Sequence, residues 1–494
     1  MEIINLPPNP AALSESMRDI GYSIETAIAD VIDNSITAEA KVIDVRFSWN
    51  NGNPWLAIID DGCGMNKDEL VSAMRFGSTN PLEKREKNDL GRFGLGLKTA
   101  SFSQCRSLAV LSRKNNIDNC VKWDLDSIAK SNNHEWLLSL LGESEIESIQ
   151  ELSLLQREYL GCNSSGTIIL WQEMDRLKDG TSKTSQETRF QEAINNARQH
   201  LELVFHRYLK PDFGKNKINI LFNKDKLEAF DPFGSSKSYE MHEQIFRFEG
   251  ETIFIQPYIL PSHNKVTKVE WEKNAGKHGY LHEQGFYVYR NRRLIIYATW
   301  FRLIKKEELT KLLRVKIDIP NSLDQFWKID VKKSNASPPA KIREELKSII
   351  GKIEYAGKQV YKQKGQRITS EIKSPAWARV AKDNQIFYQV NREHQLLIKH
   401  IEHLDETQKS LFNDIILTLE SSFPRESFYS DIASNPNDLT RPILDKKQIL
   451  DLIKIFLGDG PYEDKKIREL LQTDPFASNK LLTQATLKEL GYEC

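Results

Sequence analysis

A glycine-rich segment that precedes a helical pattern constrains the fold of this chain more than any other feature. The segment reads Gly91-Arg-Phe-Gly-Leu-Gly-Leu-Lys-Thr99. Glycines ahead of a helix can present backbone N–H groups to phosphate oxygens. A P-loop is excluded because Leu97 stands where that motif requires Lys, and the GxxGxG spacing excludes the Rossmann GxGxxG fingerprint. The residues alone leave two interpretations, a different phosphate loop and a flexible surface loop.

A second motif follows an apolar run. Residues Trp55–Ile59 have the pattern of a central strand, and Asp60-Asp-Gly-Cys-Gly-Met65 comes directly after it. An aspartate at a strand end can accept a hydrogen bond from an exocyclic amine, and glycines let a flat ring approach the backbone. The same hexapeptide also suits an Asp-Gly hairpin turn, so both interpretations stay open.

A helix is predicted from Ile24, because apolar residues recur at helical spacing and Ser23 is a candidate N-cap. Asp30 and Asn34 are four residues apart and therefore share one face of this helix. A carboxylate beside an amide at a cleft can orient a water molecule and ligate a hard cation such as Mg²⁺. The alternative is a pair of polar residues on a solvated helix edge.

The rest of the chain indicates an α+β protein with a helical end. Alternation over Ile43–Trp49 predicts a half-buried strand, and a long amphipathic helix is predicted over Gln186–Leu209. Further strands of the first region are predicted at Ser107–Ser112, Cys120–Leu125 and Thr167–Trp171. A second α+β domain is predicted from strands at Lys217–Asn223, Gln244–Phe248, Thr252–Ile259, Gly285–Arg290 and Arg314–Ile319. A helix is expected over Ala340–Tyr361, and the residues from about Ser374 onward favour helices.

A fourth motif, Gly166-Thr-Ile168, opens a strand and carries no weight alone. In order and spacing, the four motifs together resemble the GHKL ATPase superfamily, which includes gyrase, MutL, the large heat-shock chaperones and histidine kinases. Within it, the chain looks most like the MORC-type proteins, particularly their bacterial relatives. The resemblance covers most of residues 1–340 and includes Gly285–Leu294 and Ile329–Ser334 of the second domain.

The resemblance implies an architecture of three parts. Residues 1–185 would form a GHKL (Bergerat) α/β sandwich that binds ATP. Residues 186–340 would form a ribosomal-protein-S5-like α/β transducer domain, and residues 341–494 a helical C-terminal region. The polar segment 75–90, between two of the motifs, has the composition of a lid that closes over nucleotide, or of a solvated insertion.

The resemblance also implies a role for each site residue. Asp60 would bind the adenine amine, with Thr167 supporting it through a water molecule. Asn34 would ligate Mg²⁺, and Asp30 would act as the general base. The other implied nucleotide-binding residues are Gly62, Gly64 and Met65 after the strand, and Gly94, Leu95, Gly96 and Lys98 at the phosphates. Lys332 or Lys333 would reach the γ-phosphate and stabilise its developing negative charge.

The implied activity is slow Mg²⁺-ATP hydrolysis. Many members of the superfamily have Glu where Asp30 stands, and a misplacement of about 1 Å can cost roughly 10²-fold in rate. A non-catalytic ATP-sensing scaffold or a chaperone-like protein is therefore the alternative. A histidine kinase is disfavoured, because its phospho-acceptor usually precedes the nucleotide site and the first histidine here is His134.

Charge distribution bears on the partner. The chain has no net charge, but residues 290–373 carry 21 Lys and Arg against 9 Asp and Glu. This stretch begins with Arg290, Arg292 and Arg293, and its cations would suit binding to DNA phosphates. Alternatively, the cations could simply lie on solvent-exposed helix faces. The resemblance favours DNA, an ATP-dependent homodimer and partner proteins of a defence operon.

With no signal peptide, no membrane helix and five cysteines that form no CxxC pair, the expected location is the cytoplasm, away from membranes.

Overall fold

The computed structural model describes residues 8–77, 96–130, 135–178, 182–234, 237–327, 337–353, 374–382, 385–424, 427–428, 444–458 and 464–492. Their contacts divide the chain into two compact units. One comprises residues 1–306 and 311–350, and the other comprises residues 307–310 and 351–494. The first unit contains two sheets, and we call each sheet with its helices the first domain and the second domain.

The first domain is built on an eight-stranded sheet with the order β5-β4-β3-β6-β2-β1-β7-β8. All neighbours are antiparallel except β1 and β7. The strands are β1 (Val42–Ser48), β2 (Trp55–Asp60), β3 (Ser107–Lys114), β4 (Ile117–Asp124), β5 (Ser139–Leu141), β6 (Gly166–Gln172), β7 (Asn219–Phe222) and β8 (Asp225–Lys226). The helices are α1 (Pro10–Arg18), α2 (Ile24–Thr37), α3 (Lys67–Met74), α4 (Gly96–Gln104), α5 (Leu125–Lys130), α6 (Glu143–Ser148), α7 (Gln150–Leu155), α8 (Lys183–Val204) and α9 (His206–Leu209).

Both faces of this sheet are covered, which explains the continuous apolar run of β2. Leu56 and Ile58 belong to the large core formed with α2, α4 and α8. Ala57 and Ile59 point the other way, into a smaller core with α6 and α7. Alternate residues of a strand face opposite sides of its sheet, so a strand buried on both faces needs apolar residues at every position. β2 therefore lies in the centre of the domain and ends at Asp60.

The second domain is built on a sheet with the order β10-β11-β14-β12-β13, with β9 also paired to β11. Its strands are β9 (Tyr239–Glu240), β10 (Gln244–Phe248), β11 (Glu251–Ile259), β12 (Gly285–Arg290), β13 (Arg293–Thr299) and β14 (Leu313–Ile319), and its helices are α10 (Lys268–Ala275) and α11 (Gly279–His282). The prediction that the strand at Lys217–Asn223 belongs to this domain is wrong. As β7, it pairs in parallel with β1, so the first sheet continues past the boundary predicted at residue 185.

A helix at 340–353, here α12, follows the second domain. The C-terminal region contains α13 (Gln395–Glu402), α14 (Glu406–Ser421), α15 (Lys446–Leu457), α16 (Asp464–Leu470) and α17 (Lys480–Glu489). The residues from Ser374 onward are expected to favour helices, and the structure adds an antiparallel hairpin that the sequence does not predict, formed by β15 (Trp377–Lys382) and β16 (Gln385–Val390). Within the described ranges, no helix combines the length and apolar character needed to cross a bilayer.

Candidate functional site

A buried carboxylate lies where the central strand of the first domain ends. Asp60 is only 6% exposed. Ser35 Oγ donates to its Oδ2 at 2.7 Å, and the Gly62 N–H donates to its Oδ1 at 3.0 Å. Burial raises the pKa of Asp60 to about 6, because removal of water penalises the charged form more than these hydrogen bonds favour it. Each carboxylate oxygen has two lone pairs, so this group can still accept a hydrogen bond from a ligand.

Two hydroxyl groups lie on the strands beside this carboxylate. Thr167 of β6 is the register partner of Asp60, and Ser112 of β3 is the register partner of Thr167. The two hydroxyl oxygens are 2.9 Å apart, and Ser112 Oγ also accepts the N–H of Met65 at 2.9 Å. Sequence reasoning included Thr167 and Met65 but missed Ser112. The sequence feature that could have identified Ser112 is its position as a polar residue directly after the apolar run Leu108–Leu111.

The glycines of the motifs let three chain segments pack closely. Gly64 has φ +64°, and a Cβ there would lie 1.8 Å from the carbonyl oxygen of Arg113. Gly166 has φ +151°, and its Cβ would lie 2.5 Å from the carbonyl oxygen of Asp60. At Gly62 the nearest atoms, in Ala38 and Asp60, would be 2.9 Å away. The sequence predicts access for a flat ring at Gly62 and Gly64, and the structure adds a separate reason for glycine at these positions, the close packing of the protein's own segments.

Helix α2 carries Asp30 and Asn34 at the same end of the sheet as Asp60, since Ser35 of this helix bonds Asp60. Asp30 is 4% exposed, and Tyr22 Oη donates to its Oδ2 at 2.9 Å. The Gln104 side chain in turn donates to the carbonyl of Tyr22 at 3.3 Å. Asn34, one turn after Asp30, is exposed. One helix therefore presents a fixed, nearly buried carboxylate and an accessible amide.

Lys98 lies on α4, which begins at Gly96, and is 2% exposed. Its ammonium group donates to the carbonyl oxygens of Ala73 and Arg75, at 2.8 and 2.9 Å. These carbonyls lie at the end of α3, where the helix leaves backbone acceptors unpaired. Burial lowers the pKa of Lys98 to about 8. In this arrangement the Lys98 ammonium binds the end of α3, at the start of the predicted lid.

Several predicted site residues lie outside the described residues. They are Gly94 and Leu95 of the glycine-rich segment, Lys332 and Lys333 of the second domain, and residues 78–90 of the predicted lid. The structure brings together seven of the others at one end of the first sheet: Asp30, Asn34, Asp60, Gly62, Gly64, Met65 and Thr167. The remaining two, Gly96 and Lys98, lie on α4, where Lys98 contacts the end of α3.

The side chains at this end suit a magnesium ion that arrives with a nucleotide. Mg²⁺ usually keeps several waters and binds only one or two protein oxygens together with substrate phosphates. Asn34 is exposed and lies one helical turn after Asp30 on α2. In the part of the chain that the structure describes, no cluster of three or more His, Cys, Asp or Glu side chains could hold a metal by itself. An exposed amide one helical turn from a carboxylate is a donor set of the kind that a phosphate-bound Mg²⁺ can use.

Two of the cations at the start of the predicted DNA strip are buried. Arg290 pairs with Asp324 at 2.6 Å, and Arg293 pairs with Asp33 at 3.0 Å. The sequence-based expectation that these two guanidinium groups face DNA phosphates is wrong, because their charges are neutralised inside the protein. Arg292 is half-buried, and its guanidinium lies 4.3 Å from the centre of the Tyr208 ring.

Comparison with known proteins defines the class of this domain. Residues 22–158 match the family described as histidine kinase-, DNA gyrase B- and HSP90-like ATPases. This stretch contains α2, β2 and the Asp60 motif, so the chain carries a GHKL ATPase domain and the predicted α+β fold is confirmed.

The particular relatives are MORC ATPases, and the chain is MORC-like in this domain. It is 33% identical over 92 residues to ATPase morc-1 of Caenorhabditis elegans, which is 19% of this chain and 10% of that protein. It is 30% identical over 100 residues to human ATPase MORC2, which is 19% of this chain and 9% of that protein. Mouse MORC family CW-type zinc finger protein 1 is 32% identical over 99 residues, 19% and 10% of the two chains. The chain therefore spans about a tenth of the length of these relatives.

Proposed function

We propose that this chain binds Mg²⁺-ATP at the end of the first sheet and hydrolyses it slowly. The observation that carries the proposal is the buried Asp60 carboxylate, oriented by Ser35 and Gly62 beside Thr167. The exocyclic amine of adenine donates to Asp60. A water molecule held by the Thr167 and Ser112 hydroxyls completes the recognition of the base. The alignment of this domain with ATPases supports the same assignment.

Hydrolysis is assigned to Asp30. Its carboxylate, oriented by the Tyr22 hydroxyl, takes a proton from the attacking water. Mg²⁺ bound at Asn34 would neutralise charge on the phosphates. We assign the phosphates to the backbone of Gly94, Leu95 and Gly96, and the terminal phosphate to Lys332 or Lys333. Asp30 is one methylene shorter than the Glu of many related ATPases, so we expect slow turnover.

A second candidate function is an ATP-sensing scaffold with little turnover. The observation that favours it is the short side chain at the base position, Asp30, which is also 4% exposed. Both functions require the same nucleotide site, so a measurement of phosphate release is needed to distinguish them.

The wider proposal concerns assembly. We propose that ATP closes the lid and pairs two chains through their first domains, and that the dimer holds DNA. With Arg290 and Arg293 paired inside the protein, the support comes from exposed cations of α12: Lys341, Arg343, Lys347 and Lys352. Contacts of this kind are independent of sequence and weaken with salt. A role in anti-phage defence with operon partners rests on the resemblance to bacterial MORC-like proteins.

Calorimetric titration with an ATP analogue tests the nucleotide site. Asp60→Asn removes a charged acceptor and should weaken binding about 10- to 100-fold, because a hydrogen bond to a charged group contributes about 1.5–3 kcal/mol. Asp61→Asn is the matched control: the Asp61 carboxylate accepts the N–H groups of Lys41 and Val42, and an amide oxygen can replace it. Equal affinities for both variants, or a wild-type chain that binds nothing, would contradict the proposal.

Sedimentation with a non-hydrolysable ATP analogue tests the assembly. The wild type should form a dimer with the analogue, and Asp60→Asn should remain monomeric at the same analogue concentration. A wild-type chain that stays monomeric in every nucleotide state refutes the clamp. Binding to DNA that is unchanged between low and high salt refutes the assignment to surface cations.

A further inference from the structure

One buried ion pair joins the two domains of the first unit. Arg293, at the start of β13, donates from Nε to Asp33 Oδ1 of α2 at 3.0 Å. The two side chains are 6% and 2% exposed, and the residues are 260 apart in the sequence. A charge buried in a pair of this kind is costly to leave without its partner. The pair therefore links α2 directly to the second sheet.

The same helix carries the residues proposed to act on nucleotide. Asp33 precedes Asn34 directly and follows Asp30 by three residues, less than one helical turn. A helix moves as a rigid element, so a displacement of Asp33 also displaces Asp30 and Asn34. Since about 1 Å at a reacting group can change a rate by roughly 10²-fold, the placement of this helix matters for the site.

At the other end of the pair, Arg293 is held by the first domain and by its own hairpin. Its guanidinium carbon lies 4.5 Å from the centre of the Phe205 ring, between α8 and α9. The preceding turn contains Asn291 and Arg292, both with positive φ. Tyr208 Oη donates to the carbonyl of Asn291, and Arg292 lies over the Tyr208 ring. The turn between β12 and β13 is thus attached to α9 while Arg293 reaches α2.

We propose that the Asp33–Arg293 pair couples the nucleotide site to the second domain. It holds α2 in the orientation that binds nucleotide. Through it, the conformation of the β12–β13 hairpin depends on whether nucleotide is bound. Both residues are positioning residues, because they act through Asp30 and Asn34. The inference rests on the proposed nucleotide site and adds to it how that site is regulated.

The chain offers a matched control in the same hairpin. Arg290 donates from Nη1 to Asp324 Oδ2 at 2.6 Å, and the two side chains are 2% and 1% exposed. This pair is as deeply buried as Asp33–Arg293, but both of its members belong to the second domain. Loss of either pair should lower the unfolding temperature, whereas only loss of the first should alter the response to nucleotide.

The test compares Asp33→Asn, Arg293→Lys and Arg290→Lys in the full chain. Three quantities are measured: the unfolding temperature, the affinity for an ATP analogue, and amide hydrogen exchange of residues 285–299 with and without the analogue. In the wild type, the analogue should slow exchange in this hairpin. Asp33→Asn and Arg293→Lys should bind about tenfold more weakly and lose the nucleotide-dependent difference when measured at saturating analogue. Arg290→Lys should keep both properties even where its unfolding temperature falls.

Three outcomes would overturn the inference. A folded Asp33→Asn or Arg293→Lys protein with the wild-type exchange response refutes the coupling, and the conservative lysine variant keeps the test open if the asparagine variant does not fold. An Arg290→Lys protein that loses the response equally shows that general destabilisation is the cause. A wild-type chain that binds no analogue refutes the proposed nucleotide site, and the inference falls with it.

Discussion

Asp60→Asn should make the nucleotide-free protein more stable while it weakens ATP binding. The Asp60 carboxylate is buried, and burial raises its pKa from 3.8 to about 6. At 1.36 kcal/mol per pH unit, the ionised group costs the folded state about 3 kcal/mol at neutral pH. An asparagine has almost the same shape and no charge. Its oxygen can accept the Gly62 N–H, and the Ser35 hydroxyl can turn to accept from the amide.

The effect has a definite dependence on pH. Because the folded-state pKa lies above the unfolded-state value, the folded state binds more protons between about pH 4 and pH 6. The stability that Asp60 contributes is present at low pH and is lost as pH rises through about 6. From pH 5 to pH 8, the free energy of unfolding of the wild type should therefore fall by about 1.4 kcal/mol relative to the variant.

Urea denaturation of the two proteins at several pH values measures this difference. Ser35→Ala provides a second check, because the Ser35 hydrogen bond lowers the Asp60 pKa and its loss should shift the window to higher pH. A stability difference that does not change with pH would refute the reasoning. So would an asparagine variant less stable than the wild type at pH 8.

Three further predictions concern other contacts of the site. Tyr22→Phe removes the hydroxyl that orients Asp30, so kcat should fall while the affinity for ATP stays within about twofold, as steady-state kinetics would reveal. Ser112→Ala leaves the Met65 N–H without its acceptor and should cost about 1–3 kcal/mol in the free energy of unfolding; an unchanged denaturation midpoint would contradict this. Gly64→Ala should cost about 3 kcal/mol or more, because its Cβ would meet the Arg113 carbonyl. Gly214→Ala, at φ +78° with no atom nearby, should cost only about 1 kcal/mol, and equal losses would contradict the packing argument.

Sequence patterns predict a helix or strand well when the spacing of its apolar residues and the residues at its two ends are enough to define it. The apolar run of β2 and the helical spacing of α2 are both present in the structure, and β10 and β12 have the predicted bounds. Pairing partners are not encoded in this way. The strand Asn219–Phe222 joins β1 across more than 170 residues, and nothing in its own residues selects that neighbour.

The same limit applies to the site. Asp30, Asn34, Asp60 and Thr167 lie in short motifs that sequence reasoning can recognise. Ser112 acts through its register opposite Thr167, so only the pairing of β3 with β6 shows its place. A count of charges does not show which side chains are buried, so it places Arg293 among the surface cations. Its partner Asp33 lies in another domain, and the sequence gives no sign that the two residues meet. Residues that support a site from distant elements are therefore the ones that sequence patterns do not predict.

We propose that Asp30 activates the water molecule that attacks ATP bound at Asp60. Phosphate release from saturating Mg²⁺-ATP, measured for the wild type and for Asp30→Asn, tests it most directly. We expect slow release by the wild type, and release at the background rate by a variant that still binds ATP. Equal rates from the two proteins, whether both measurable or both at background, would contradict the assignment of Asp30 as the general base.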